Sequence, residues 1–218
     1  MYGDHGWYDY RPDRYDRGVL ELYYWSMKDQ DRRRVRDFDW LAFLEGRDPA
    51  YPAAALRRDL DTIRRKVQAM RRDRSTPDTR LADDPMRYNP ATVESLVRLT
   101  LGGLPPKHQG EVLQARVRYF DPARRRPGLP ENVAALVDGL QDGSTSLVLV
   151  NLNQSDARTV IVQGGAYGEH PCEQVTAGER TIPVHDRGFR VWLAPGCGGR
   201  ITITMKRYAA QPTLAQPW

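Results

Sequence analysis

The sequence predicts an α+β fold: N-terminal amphipathic helices followed by an antiparallel β-sandwich with one inserted helix. Three observations lead there. Up to about residue 101, apolar residues recur at helical spacings of three and four. From Val112 onward most apolar runs alternate with polar residues, the period of a half-buried strand. These later runs are short, and turns rich in Gly, Pro and Asp separate them. At 218 residues the chain is long enough for one or two domains. The boundary is expected near 103–111, giving a helical segment over 1–103 and a β-sandwich domain over 104–218.

Element by element, residues 1–17 form a polar, aromatic-rich stretch without a period, and 18–27 read as a short helix. Asp37 to Gly46 reads as a second helix, with Asp39 as its N-cap and Gly46 as its stop. The strongest helix spans 53–74. Leu56, Leu60, Ile63, Val67 and Met70 draw one apolar stripe, which predicts that face to be buried. Pro52 suits its first turn, and Asp61 with Arg65 forms an i,i+4 pair. Asn89-Pro90 is expected to cap and open a helix over 90–101, which Gly102-Gly103 ends. Val112–Phe120 alternates as a strand. Val133, Leu136, Val137 and Leu140 then follow helical spacing, which predicts the inserted helix over 130–140. Strands are expected at 146–152, 159–163, 172–175, 181–184, 189–193 and 201–208.

Composition excludes several classes. No apolar run approaches the ~20 residues of a membrane span. The start of the chain carries no secretory or transit signal, which points to a cytoplasmic protein if Met1 is the natural start. Cys172 and Cys197 are too few for a disulfide framework or a four-ligand zinc site, and are expected to be free thiols. The net charge of +5 resides in one helix: residues 57–74 carry eight basic and three acidic groups. That helix has no aromatic residue among its arginines, which argues against nucleic acid as a partner.

Three motifs in the N-terminal half carry a resemblance: Tyr23-Tyr24-Trp25-Ser26-Met27-Lys28, the run from Trp40 to Pro52, and the run from Thr76 to Met86 in the loop over 75–88. Three strand-region motifs join them: Val117-Arg-Tyr-Phe-Asp121, Leu149-Val-Asn-Leu-Asn153 and Gln163-Gly-Gly-Ala-Tyr-Gly-Glu-His170. Together they resemble the C-terminal region of large bacterial proteins in which a helical, six-hairpin-like toroid precedes a β-sandwich. Toroids of that kind occur in glycan-processing and linalool dehydratase-isomerase-like proteins. The resemblance implies a chain lacking the upstream body of the toroid, where catalytic residues would stand, so no catalytic residue carries over. Eight aromatic residues fall within the first 25 positions (Tyr2, Trp7, Tyr8, Tyr10, Tyr15, Tyr23, Tyr24 and Trp25), a density that suits packing against a separate partner.

The most unusual segment is Gly164-Gly-Ala-Tyr-Gly-Glu-His170. Tyr167 suits stacking on a sugar ring, while Glu169 and His170 suit hydrogen bonds to its hydroxyls or acid–base work. The plainer reading is a turn whose Glu and His satisfy backbone groups. Its glycines are not a dinucleotide fingerprint, since strands follow rather than a helix. His5, His108, His170 and His185 lack metal-ligand spacing, so no metal and no cofactor are expected. Asp78, Asp83 and Asp84 share one loop but not the pattern of a calcium-binding loop. Arg124-Arg125-Arg126 reads as a solvated turn before an anion grip. The leading expectation is a non-catalytic accessory segment. It would support or dock onto a helical-toroid catalytic domain or subunit acting on carbohydrate or a related small substrate. The alternative is an independent carbohydrate-binding β-sandwich module that uses Tyr167 and the aromatic N-terminal stretch as stacking platforms, and an enzyme built on Glu169 and His170 is the third class. Docking predicts an exposed apolar patch on the helices; sugar binding predicts a groove lined by aromatic rings.

Overall fold

A computed structural model describes residues 16–36, 38–76, 79, 89–106 and 111–218. Tyr2, Trp7, Tyr8, Tyr10 and Tyr15, the loop aspartates Asp78, Asp83 and Asp84, and His5 and His108 lie outside the described residues. The helices are α1 (Asp16–Ser26), α2 (Asp29–Arg32), α3 (Asp39–Leu44), α4 (Tyr51–Arg72) and α5 (Glu94–Leu101). The strands are β1 (Val117–Asp121), β2 (Arg126–Pro127), β3 (Val133–Leu140), β4 (Ser144–Asn151) and β5 (Arg158–Gly164). They continue with β6 (Cys172–Ala177), β7 (Arg180–Asp186), β8 (Gly188–Leu193) and β9 (Gly198–Met205). Helices followed by two antiparallel sheets make an α+β fold with a sandwich-like arrangement.

One sheet has the order β2-β1-β5-β8 and the other β3-β4-β9-β6-β7, with antiparallel pairing throughout. Their inner faces share one core: Val117, Tyr119, Val160 and Val162 from the first sheet meet Val137, Leu147, Leu149 and Ile203 from the second. β4 shows the alternation that the sequence predicts, with Thr145, Leu147, Leu149 and Asn151 buried and their neighbours half-buried. β7 is an edge strand, largely exposed and interrupted by Pro183, which limits further pairing on that side.

The inserted helix predicted over 130–140 is instead strand β3, paired along its length with β4 and shifted in register between Val137 and Gly139. Burial on both faces explains the misreading. Val133 and Val137 enter the sandwich core, whereas Leu136 packs against a second core formed by the helices, and Leu140 touches both. A strand covered on both sides loses its alternation, and here the remaining apolar spacing imitates a helix.

The second core holds Leu20 and Tyr24 of α1, Trp40 and Leu41 of α3, Tyr51 and Ala55 of α4, Leu99 of α5, and Leu104. Gly46 ends the α3 segment at a φ of +76°, but Asp39 is the first helical residue and no side chain caps it. α5 begins at Glu94, four residues after Pro90, because the Asn89 side chain accepts the Ala91 N–H and holds a turn there. Gly102 stops α5 in the left-handed conformation as predicted.

α4 departs most from expectation. Its buried residues are Tyr51 and Ala55; Leu56, Leu60 and Met70 are exposed at 37%, 49% and 47%, and Ile63 and Val67 are half-buried. The reason is length. Twenty-two residues span about 33 Å, and α3 and α5, of 6 and 8 residues, cover only the first turns. Asp61 pairs with Arg64 rather than with Arg65, which donates to Thr62. No helix among the described residues is long and apolar enough to cross a membrane.

Hydrogen bonds fasten the helices to the sandwich. The Tyr24 hydroxyl donates to the Gly102 carbonyl, and the Tyr119 hydroxyl to that of Thr100. Arg207, just past β9, donates to the Tyr24 and Trp25 carbonyls at the end of α1 while pairing with Asp142. Cys172 is buried and Cys197 exposed, and both are free; burial pushes the Cys172 thiol up to about 12.

Candidate functional site

Glycine shapes the turn that follows β5. A Cβ on Gly164 would lie 1.9 Å from the His170 carbonyl oxygen, and one on Gly165 (φ +84°) would lie 2.4 Å from the Glu169 carboxylate. Glu169 is buried and folds back into its own loop: one oxygen accepts the Ala166 N–H at 3.2 Å, the other the Tyr167 N–H at 2.7 Å. His170 is also buried. Its Nδ1 accepts the Tyr208 N–H at 3.0 Å, which places the ring proton on Nε2, 3.8 Å from Glu169 Oε1. The Tyr208 ring meets it edge-on at 4.6 Å. Burial, then the charges of Arg116 and Arg207, pull the imidazole down to about 4, so it is neutral at pH 7.

Past β9 the chain runs back along this loop, with Ala209 donating to Glu169 and Thr213 to Tyr167. The result is a cleft of about 310 Å³ walled by Trp25, Tyr167, Tyr208, Glu169, the 112–115 segment, Ala210 and Pro212. Trp25 is fixed by its indole N–H, which donates to Gln114 Oε1 at 2.7 Å. The structure therefore brings Tyr167 and Glu169 to one cleft and sets His170 behind Tyr208.

Trp25 comes from the aromatic N-terminal stretch that the sugar-binding alternative set with Tyr167; sequence reasoning missed Tyr208, which joins them from the other end of the chain. It also missed Arg116. This side chain is fully buried, and its three guanidinium nitrogens have no hydrogen-bond partner among the described residues. It faces the Tyr24 ring at 5.3 Å. Its carbonyl accepts the Gly165 N–H, joining it to the glycine loop. Burial lowers its affinity for the proton, but a guanidinium stays charged. Nothing in the sequence could have singled it out among so many arginines.

Elsewhere, Arg124 pairs with Glu131 and Arg126 with Asp121, so the arginine run is the β1–β2 turn. His185 stands on edge strand β7. Among the described residues no three His, Cys, Asp or Glu side chains gather as a metal site would require.

A family model described as a domain of unknown function (DUF8034) matches residues 36–97. The DUF8034 match spans α3, α4 and the first half of α5, so it covers the long helix and not the cleft. No curated protein and no solved structure matches the chain.

Proposed function

We propose that this chain is an accessory docking module whose α4–α5 face binds a helical partner, in keeping with the toroid-bearing proteins it resembles. The observation that supports this is the apolar stripe on α4. Leu56, Leu60 and Met70 stand in solvent, with Val93 and Leu96 exposed near the start of and along α5. Long helices depend on packing of their apolar face, and an uncovered stripe is a surface waiting for a partner. The arginines beside it give residues 57–74 their excess of positive charge, so the matching surface has an apolar groove with an acidic rim. The partner that the resemblance suggests is a helical catalytic domain or subunit handling carbohydrate or a related small substrate.

The test is co-elution with the product of the neighbouring upstream gene, using the wild-type chain and the double variant L60E/M70E. Association that weakens at least about tenfold in the variant, with an unchanged melting temperature of the isolated chain, is expected. A wild-type chain that stays apart from that product, or a variant that binds equally well, sinks the proposal.

A second reading concerns the cleft. Trp25, Tyr167 and Tyr208 share its wall, and exposed rings beside a small cavity favour a ring-shaped ligand such as a sugar. The two readings are compatible, because the cleft and the α4 stripe share no residue.

A further inference from the structure

The apolar stripe of α4 has an order that its exposure alone does not express. Leu56, Leu60, Ile63, Val67 and Met70 stand four, three, four and three residues apart. That alternation is a heptad seam, along which a second helix can lie at a shallow angle. The two borders of the seam differ. On one side α4 is covered: Tyr51 and Ala55 are buried, and the Asp59 carboxylate accepts the Ser95 N–H of α5 at 3.2 Å. On the other side stand Arg57, Arg64 and Arg71, one per heptad and all exposed. Arg57 and Arg71 form no ion pair among the described residues. Arg64 pairs with Asp61, but the two side chains are 71% and 60% exposed, and a pair so open to water contributes little and re-forms easily with another partner.

Resting on the reading of the α4 face as a docking surface, we propose that its occupant is a single amphipathic helix of another chain. That helix carries the same heptad seam and a row of Asp or Glu on the flank that meets Arg57, Arg64 and Arg71. The seam supplies the contact area, and the arginine row selects the partner and its direction, as flanking charges do in paired helices. A seam of about two heptads is short for two free helices, but α4 is already held at its start by α3 and α5. A second copy of this chain does not meet the requirement. Laid antiparallel, two α4 helices set their arginine rows against each other. Laid parallel, each row meets the flank of Asp59 and Lys66, where Asp59 is engaged by Ser95 and Lys66 adds a like charge.

Fluorescence anisotropy of the full chain with two labelled synthetic helical peptides tests this. Both peptides carry the apolar heptad seam; one has Glu at both flanks and the other Lys, so that neither pairs with itself. Saturable binding of the glutamate peptide, at least about tenfold tighter than the lysine peptide, is expected, with the difference shrinking as salt is raised. Arg57→Gln, Arg64→Gln and Arg71→Gln together should remove the preference at an unchanged melting temperature, and the three corresponding Glu substitutions should reverse it. L60E/M70E should release both peptides, and sedimentation of the chain alone should show a monomer. Equal binding of the two peptides, lost in L60E/M70E, would overturn the acidic partner and leave the docking face standing. So would binding of neither peptide beside an L60E/M70E-sensitive co-elution with the upstream product, which would rule out a lone helix; without that co-elution both readings fall. A glutamate preference that persists in the glutamine variant would place the selection away from the arginine row and overturn the proposal. Self-association that L60E/M70E disrupts would make a second copy the occupant and overturn it as well.

Discussion

His170 shows how one residue's surroundings set a property of the whole fold. Its folded value of about 4 lies below the ordinary histidine value, chiefly because burial disfavours the charged ring. Between those two values the unfolded chain binds a proton that the folded chain refuses. His170 therefore contributes stability that is complete above about pH 6.5 and lost as pH falls towards 4, roughly 3 kcal/mol in all. Urea unfolding from pH 7 to pH 4 should show this loss, and His170→Gln should flatten it. An unchanged slope in the variant would mean that other groups govern the acid side. At this scale the sequence was partly legible. Tyr167 and Glu169 stood out because three glycines flank them, and they do reach one cleft. Tyr208 and Arg116 did not stand out, because what marks them is proximity across the fold, which spacing does not encode.

At the scale of elements, the patterns that were read well are those with one environment per face. β4 has core on one side and partial exposure on the other, and its alternation survives in the sequence. α4 was recognisable as a helix from its stripe, but periodicity reports which face is apolar, not what covers it. A consequence for energetics follows. Leu60 is half-exposed, so Leu60→Ala should cost no more than about 1 kcal/mol in the isolated chain, whereas Leu147→Ala, fully buried between the sheets, should cost about 2–5 kcal/mol. Chemical denaturation of both variants measures the difference. Amide hydrogen exchange should agree: the turns from Ile63 to Arg72 should exchange faster than those from Tyr51 to Asp59, which rest on α3 and α5. Equal protection along the helix would show the stripe to be covered within this chain.

For the whole molecule, the two cores are separate in composition and joined through β3. A chain beginning at Leu104 keeps every strand pair of both sheets. It loses α5 from the outer face of β3, the hydroxyl bond of Tyr119 to Thr100, and the α1 carbonyls that Arg207 serves. Such a truncation should fold, with strand-type circular dichroism and a cooperative melt, at a lower temperature than the full chain. A non-cooperative melt would make the helices part of one indivisible unit. The change of period after the paired prolines Pro105-Pro106 is a signal that position along the chain does carry.

The double burial of β3 bears on how this protein can vary. In β4, residues that point away from the core can drift in polarity while the buried ones are held, so neutral change proceeds at every second site. β3 has little such freedom: Ala134 alone is exposed, while Val133, Ala135, Val137 and Leu140 close the sandwich and Leu136 and Leu140 seat the helices. A change there that suits one core disturbs the other unless both adjust together. Sequences descended from a common ancestor should therefore keep β3 nearly unchanged or alter it in concert with α5, and the strand acts as the lock on the pairing of the two halves.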